Sequence, residues 1–331
     1  MIEKGNVKAA IEALQRIQPG ESYYILARRA LADVYLNNLR NRDMYIQCYQ
    51  DLVKMAPSKE SYEMLGDACT SVQDPDGAIS AYEEALNSDK TNWNLICKMG
   101  KSLVKTHHYT KAINYYKEAV KNNDNPELLY DMADLYFKLG QLDNAERILS
   151  KHVNDMRVEF GDLAQIGAKT KLLQLLAKVR DKSGSLTDSL AALKQAKENH
   201  LKIEKRTLAQ SDSLKATVVE ICNETAMLMT RLRDFNGAIK AFKEALTFRP
   251  NDPRILAGLA RLYMQTNNVE DCQLTCQHLL ASDPENEPAA VMLADIAFRK
   301  MDLETSGHHF RALLNKRPDY WTALARLIEV G

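Results

Sequence analysis

A spacing of 34 residues governs this chain. Pro250, Pro284 and Pro318 stand at that interval, and between them Leu259 and Leu293, Ala260 and Ala294, and Tyr263 and Ala297 fall in register. Upstream, Gly66/Gly100, Ala78/Ala112, Tyr82/Tyr116 and Ala85/Ala119 are pairs at the same interval. Segments 77–86 (GAISAYEEAL), 111–120 (KAINYYKEAV) and 237–246 (GAIKAFKEAL) are near copies. A unit of this length cannot bury its own apolar face, so successive units must stack.

Only 13 Gly and 9 Pro occur in 331 residues, which makes the units helical. The period and the placement of small residues are those of the tetratricopeptide repeat (TPR), a pair of antiparallel helices. Gly or Ala at the eighth position, and Ala at the twentieth and twenty-seventh, let the two helices approach, because a larger side chain would overpack the contact. Leu, Tyr and Phe between them fill the space between units, each worth roughly 1.5 to 3 kcal/mol when buried. The expected fold is all-α, a TPR right-handed superhelical solenoid of antiparallel helix pairs.

The register places units at 25–58, 59–92, 93–125 and 126–159, then at 170–203, 219–252, 253–286 and 287–320. In domain terms, 1–24 reads as the second helix of a partial unit, 25–159 as a first block of about four units, and 160–218 as a degenerate unit with extended helices. Three regular units follow over 219–320, and 321–331 starts a further unit. Neither end supplies a polar capping helix, so the sequence reads as part of a longer repeat array, or as an array whose ends partners cover, with exposed apolar area at both ends. The 49 residues from 170 to 219 exceed one repeat by 15. The surplus, Lys197 to Val218, is polar with few breakers and reads as a helix extension, a turn near Ser211 to Ser213 and an extended next helix. It is either a solvated hairpin or a projecting contact element.

Charge excludes some functions. The balance of 44 Lys+Arg against 44 Asp+Glu leaves no net field to gather nucleic acid or anionic membrane. No stretch is apolar enough to insert into a bilayer, Met1 to Ala10 lacks the apolar core of a secretory signal, and the scattered cysteines fit a reducing compartment, so a cytoplasmic protein is expected. Cys272 and Cys276, four apart on one helical face, read as packing residues rather than as a redox or metal pair. His107-His108 and His308-His309 are neighbours, and adjacent helical side chains diverge by about 100° and cannot share a metal. Glu83-Glu84 recurs at equivalent repeat positions and reads as solvated surface. No nucleotide-binding, metalloprotease or nucleophile-elbow motif is present, so no enzyme, cofactor, metal or small-molecule substrate is expected.

Partner binding is expected on the concave face, at positions two, five, nine and twelve of the first helices. These include Arg29 and Asp33, Glu63 and Asp67, Tyr130 and Asp134, and Arg254 with Arg261. A co-chaperone clamp for a terminal carboxylate needs Lys, Arg and Asn at such places. Here the ninth positions carry Asp33, Asp67 and Asp134, interrupted by Lys101, and acids there repel such a ligand. A peptide-binding adaptor of that type, and a regulatory segment of an enzyme lying outside this chain, stand as alternatives to a scaffold.

A more specific likeness covers essentially the whole chain. Ser22 to Leu86, Gly100 to Val120, Gln174 to Val179 with the overlong repeat that follows, Val219 to Ala226, and Met292 to Asp302 resemble, in order, the tetratricopeptide-repeat protein 21 family. That family is the large all-TPR subunit of intraflagellar transport complex A. The resemblance implies an interior portion of a longer solenoid, assembly with the WD40-and-TPR subunits of that complex, retrograde ciliary traffic and ciliary entry of receptors. It implies a location at the ciliary base and axoneme, and no catalytic residues.

Overall fold

The computed structural model describes residues 7–89, 92–122, 125–160, 162–203, 207, 211–316, 319 and 321–330. These residues hold α-helices, one π-helical segment (Val34–Asn38) and turns, with no strand among them. The helices are α1 (Val7–Gln15), α2 (Tyr24–Asp33), α3 (Arg42–Met55), α4 (Lys59–Ser71), α5 (Pro75–Ser88), α6 (Trp93–Lys105), α7 (Tyr109–Asn122), α8 (Pro126–Lys138) and α9 (Leu142–Asp155). They continue as α10 (Leu163–Lys182), α11 (Leu186–His200), α12 (Asp212–Arg231), α13 (Phe235–Phe248), α14 (Pro253–Gln265), α15 (Val269–Ser282), α16 (Glu287–Arg299), α17 (Leu303–Lys316) and α18 (Trp321–Val330). Contacts group them into two units, 1–149 and 150–331. Within each, consecutive helices pair as the hairpins of an all-α TPR solenoid.

Local chemistry sets the helix ends. Asn41, Ser58, Asp74, Asn92, Asn125, Asp162, Ser211, Asp234, Asp252 and Asn286 each accept a hydrogen bond from a first-turn amide, satisfying donors that a helix start leaves orphaned. Pro75, Pro126, Pro253 and Pro288 occupy first-turn positions, where a missing N–H costs nothing. α13 and α15 stop just before Pro250 and Pro284, while Pro318 lies outside the described residues.

One turn recurs between the helices of a pair. Gln73, His107, Gly140, Gly184, Arg233, Asn267 and Met301 all have φ between 59° and 88°. The next amide in each case reaches back to the carbonyl five residues earlier, as Asp74 N does to Cys69 O (2.9 Å) and Asp234 N to Met229 O (2.9 Å). This left-handed closure satisfies the last carbonyls of the first helix and aims the chain into the second. Five of the seven positions hold residues other than glycine, which tolerate the conformation at a cost.

The core follows the small-residue logic of the sequence. Ala78, Ala85, Ala112, Ala238, Ala245, Ala260 and Ala294 are fully buried, and Tyr82, Tyr116 and Phe310 are the largest side chains sealed inside. A Cβ built on Gly66 would lie 2.6 Å from Tyr82 Cδ1, and one on Gly100 would lie 2.7 Å from Tyr116 Cε1. Glycine is therefore needed for the ring of the second helix to lie against the first. All six cysteines are free thiols and buried. Cys272 Sγ donates to Ala260 O at 3.3 Å, so Cys272 and Cys276 sit in the packing layer between α14 and α15.

The middle departs from the regular pattern. First helices α4, α6, α8, α14 and α16 have 13 residues, whereas α10 and α12 have 20. They begin at Leu163 and Asp212, seven residues before the starts of 170 and 219 that the repeat register gave. Among the described residues α11 is not extended beyond His200. Leu201 to Ile203 turn, with Ile203 N bonded to His200 O at 3.1 Å, and 204–206 and 208–210 lie outside the described residues. Asn199, His200 and Ile203 are all buried at this end, with Ile203 in the core of the second unit.

Candidate functional site

The first helices of three successive repeats in the first unit, α4, α6 and α8, form a groove of about 510 Å³. Asp67 and Thr70 come from α4, Lys98, Lys101 and Lys105 from α6, and Asp131, Asp134 and Lys138 from α8. Tyr82 and Tyr116 close the floor from the second helices.

Its charges are paired, two lysines with the neighbouring repeat and one within α8. Lys98 Nζ bridges Glu63 Oε1 and Asp67 Oδ2, both at 2.8 Å. Lys101 Nζ lies 3.1 Å from Asp131 Oδ2, and Lys138 Nζ lies 2.6 Å from Asp134 Oδ2. Tyr82 Oη donates to Asp67 Oδ1 at 2.7 Å, tying the ladder to the core. Burial opposes the charge on Lys98, but its two carboxylate hydrogen bonds outweigh that and raise its pKa. Asp131 is raised as well, but here burial is the cause and disfavours its charge, with Lys101 and Cys97 only partly offsetting. Beside it, burial pushes the Cys97 thiol up to about 12.

This corrects the expectation of a repelling acidic groove. Glu63, Asp67 and Asp134 are neutralised by lysines, and Lys105 adds a charge that no described residue pairs. The structure brings Glu63, Asp67 and Asp134 together, while Tyr130 is half-buried on α8 beside them. Arg29 and Asp33 are exposed on α2, which does not line this groove. In the second unit, Arg254 lies 3.5 Å from Glu220 and 3.6 Å from Asp252, and Arg261 is exposed. Sequence reasoning missed Lys98, Asp131 and Lys138. The legible signal was opposite charge at the sixth position of one repeat and the fifth and ninth of the repeat before it.

No cluster of three or more metal-ligating side chains occurs among the described residues, and no described helix is long and apolar enough to cross a membrane.

Comparison with known proteins decides the lineage. Models described as the tetratricopeptide repeat protein 21 ARM repeat, its fourth ARM domain and its fifth ARM repeats domain match residues 1–52, 95–246 and 287–331. General tetratricopeptide repeat models match 60–92 and 230–296. Tetratricopeptide repeat protein 21B of Homo sapiens is 37% identical over 290 residues, 86% of this chain and 22% of that protein. Protein 21A of Homo sapiens is 32% identical over 334 residues, 100% of this chain and 25% of that protein.

The chain belongs to the tetratricopeptide repeat protein 21 family.

It spans about a quarter of the length of the curated family members it matches. A solved structure, the C-terminal part of a TPR repeat-containing protein from Cytophaga hutchinsonii, aligns with a TM-score of 0.51 at 17% identity, covering 78% of this chain and 96% of that one. That likeness shows the fold. BBSome complex member bbs-4 of Caenorhabditis elegans is 25% identical over 126 residues, 38% of this chain and 27% of that protein. The family match extends across the overlong repeat, since 95–246 includes both 20-residue helices.

Proposed function

We propose that the chain is a non-enzymatic interaction scaffold that contributes an interior segment of the tetratricopeptide repeat protein 21 subunit to intraflagellar transport complex A. The observation that carries this is family membership across regular and irregular repeats together. A stacked array of hairpins presents a long surface and supports the reading physically, since such arrays act by docking other chains. In this reading the partners are the WD40-and-TPR subunits of that complex, the location is the cilium, and the task is retrograde transport and receptor entry. Arg29, Asp33, Tyr130 and Arg261 serve as partner contacts, while Glu63, Asp67, Asp134 and Arg254 divide their charge between neighbouring repeats and the partner.

The test is affinity capture of the full-length protein from ciliated cells, with and without charge reversal at Arg29 and Arg261. Recovery of the WD40-and-TPR subunits, weakened by the reversals, supports the assignment. Recovery of chaperones competed away by a free terminal peptide would overturn it in favour of an adaptor.

A further inference from the structure

The overlong repeat builds a pocket from its added turns. Lys169 falls in the seven residues by which α10 exceeds a regular first helix, and Lys202 lies just past the end of α11. With Asn154, Gln195 and Glu198 they line a pocket of about 280 Å³ within the second unit. Lys169 Nζ donates to Met156 O at 2.6 Å and Lys202 Nζ to Val158 O at 3.3 Å. Neither ammonium has a carboxylate partner among the described residues, in contrast to Lys59, Lys98, Lys101, Lys111, Lys138 and Lys197. Burial, and then the charge of Lys202, push the Lys169 ammonium down. Glu198 on the lining is exposed and pairs with neither.

The same segments expose large apolar side chains. Phe160 at the end of the 156–160 loop is 70% exposed, Leu163 at the start of α10 46%, and Leu201 beside Lys202 58%. Two like charges gathered without a carboxylate partner among the described residues, in segments that also expose aromatic and aliphatic groups, are unfavourable in the free protein and favourable once an anion with an apolar neighbour arrives.

We propose that this pocket docks an acidic, extended segment of a partner protein, with a carboxylate seated between Lys169 and Lys202 and an adjacent apolar side chain against Phe160, Leu163 and Leu201. The pocket is below the ~300–1,000 Å³ of a typical small-molecule site, and its size suits one side chain. A chain with 44 Lys+Arg and 44 Asp+Glu has no broad basic field for nucleic acid or membrane, so the recognition is local. The site does not depend on the transport assignment, and its test is separate.

The probe is an array of short fluorescent peptides carrying Glu at successive spacings from Leu or Phe, titrated by anisotropy against the full chain. The expected result is saturable binding by a subset, weakened about tenfold or more by Gln in place of Glu and by K169Q/K202Q, and unchanged by K117Q, which alters an exposed lysine of α7 outside both cavities. Thermal melting followed by circular dichroism checks that the double variant is folded. K202Q, which breaks only the longer carbonyl bond, supplies the readout should the double variant melt early. Binding by no peptide, equal binding by the lysine variants, or tighter binding of inorganic phosphate or phosphatidylserine vesicles overturns the proposal.

Discussion

The repeats of α4 to α7 and those of α10 to α13 solve the same packing problem by different means. In the first, a 13-residue helix meets its partner through glycine, with Tyr82 on Gly66 and Tyr116 on Gly100, and shape sets the spacing. In the second, a 20-residue helix outruns its partner, and buried polar groups hold the overhang. Asn199 Nδ2 donates to Ile166 O (2.9 Å) and contacts Thr170 Oγ1 (3.0 Å), and the His200 ring meets Leu214 O at 3.2 Å. The contrast shows that a solenoid can lengthen one helix without losing its pairing, provided hydrogen bonds replace the interdigitated ring.

Substitutions break the contrast in graded steps. The largest effect is Tyr116→Ala, which empties a ring that is 1% exposed and costs about 3–5 kcal/mol in urea unfolding. Next, Gly100→Ala in the shape-set repeat costs about 1–3 kcal/mol by overpacking against Tyr116. The same change at Gly167, where an added Cβ meets nothing within 4 Å, stabilises by about 0.5–1 kcal/mol through helix propensity. Two changes of the same sign at these glycines would refute the distinction.

Acid adds a one-sided test. Burial depresses the His200 pKa, so the folded state holds fewer protons than the unfolded one. The resulting stability is present above the unfolded value of about 6.5 and declines as pH falls from there toward the lower folded value. Amide exchange should accelerate around α11 and α12 at mildly acidic pH, and His200→Gln should flatten that response. The smallest effect belongs to the ion-pair ladder. Lys98→Met should cost less than about 1 kcal/mol, with the loss shrinking in high salt.

Much of the shape-set half was legible because its determinants are local residue types at a fixed interval: Gly66 marks the close approach of its helix pair, and Ala78 and Ala85 the face they share. Tyr82, however, read as filling space between units, lies on Gly66 within its own pair. Of the overlong helices, α12 was legible from the turn near Ser211, which caps it. α10 was harder: Asp162 caps it, but Leu172, Leu173, Leu175, Leu176, Ala177 and Val179 are all buried, and an apolar girdle gives no single face to extend backwards to the cap. The groove ladder was hidden for another reason. Lys98 finds Glu63 and Asp67 at separations of 35 and 31 residues, and only the stacking offset between repeats reveals that such positions meet. Left-handed turns at Gln73, Arg233 and Met301 were equally silent, since the backbone and not the residue type enforces them.

The sealed thiols offer a consequence of their own. Cys48, Cys69 and Cys97 mark three successive hairpins of the first unit, Cys222 sits in α12, and Cys272 and Cys276 lie in α15. Burial lifts the first four to between about 11 and about 12, so an alkylating reagent at neutral pH must wait for the surrounding helices to part. Each sulfur is thus a clock for its own stretch of the array, and the order in which the six acquire label would chart where the spiral first comes undone.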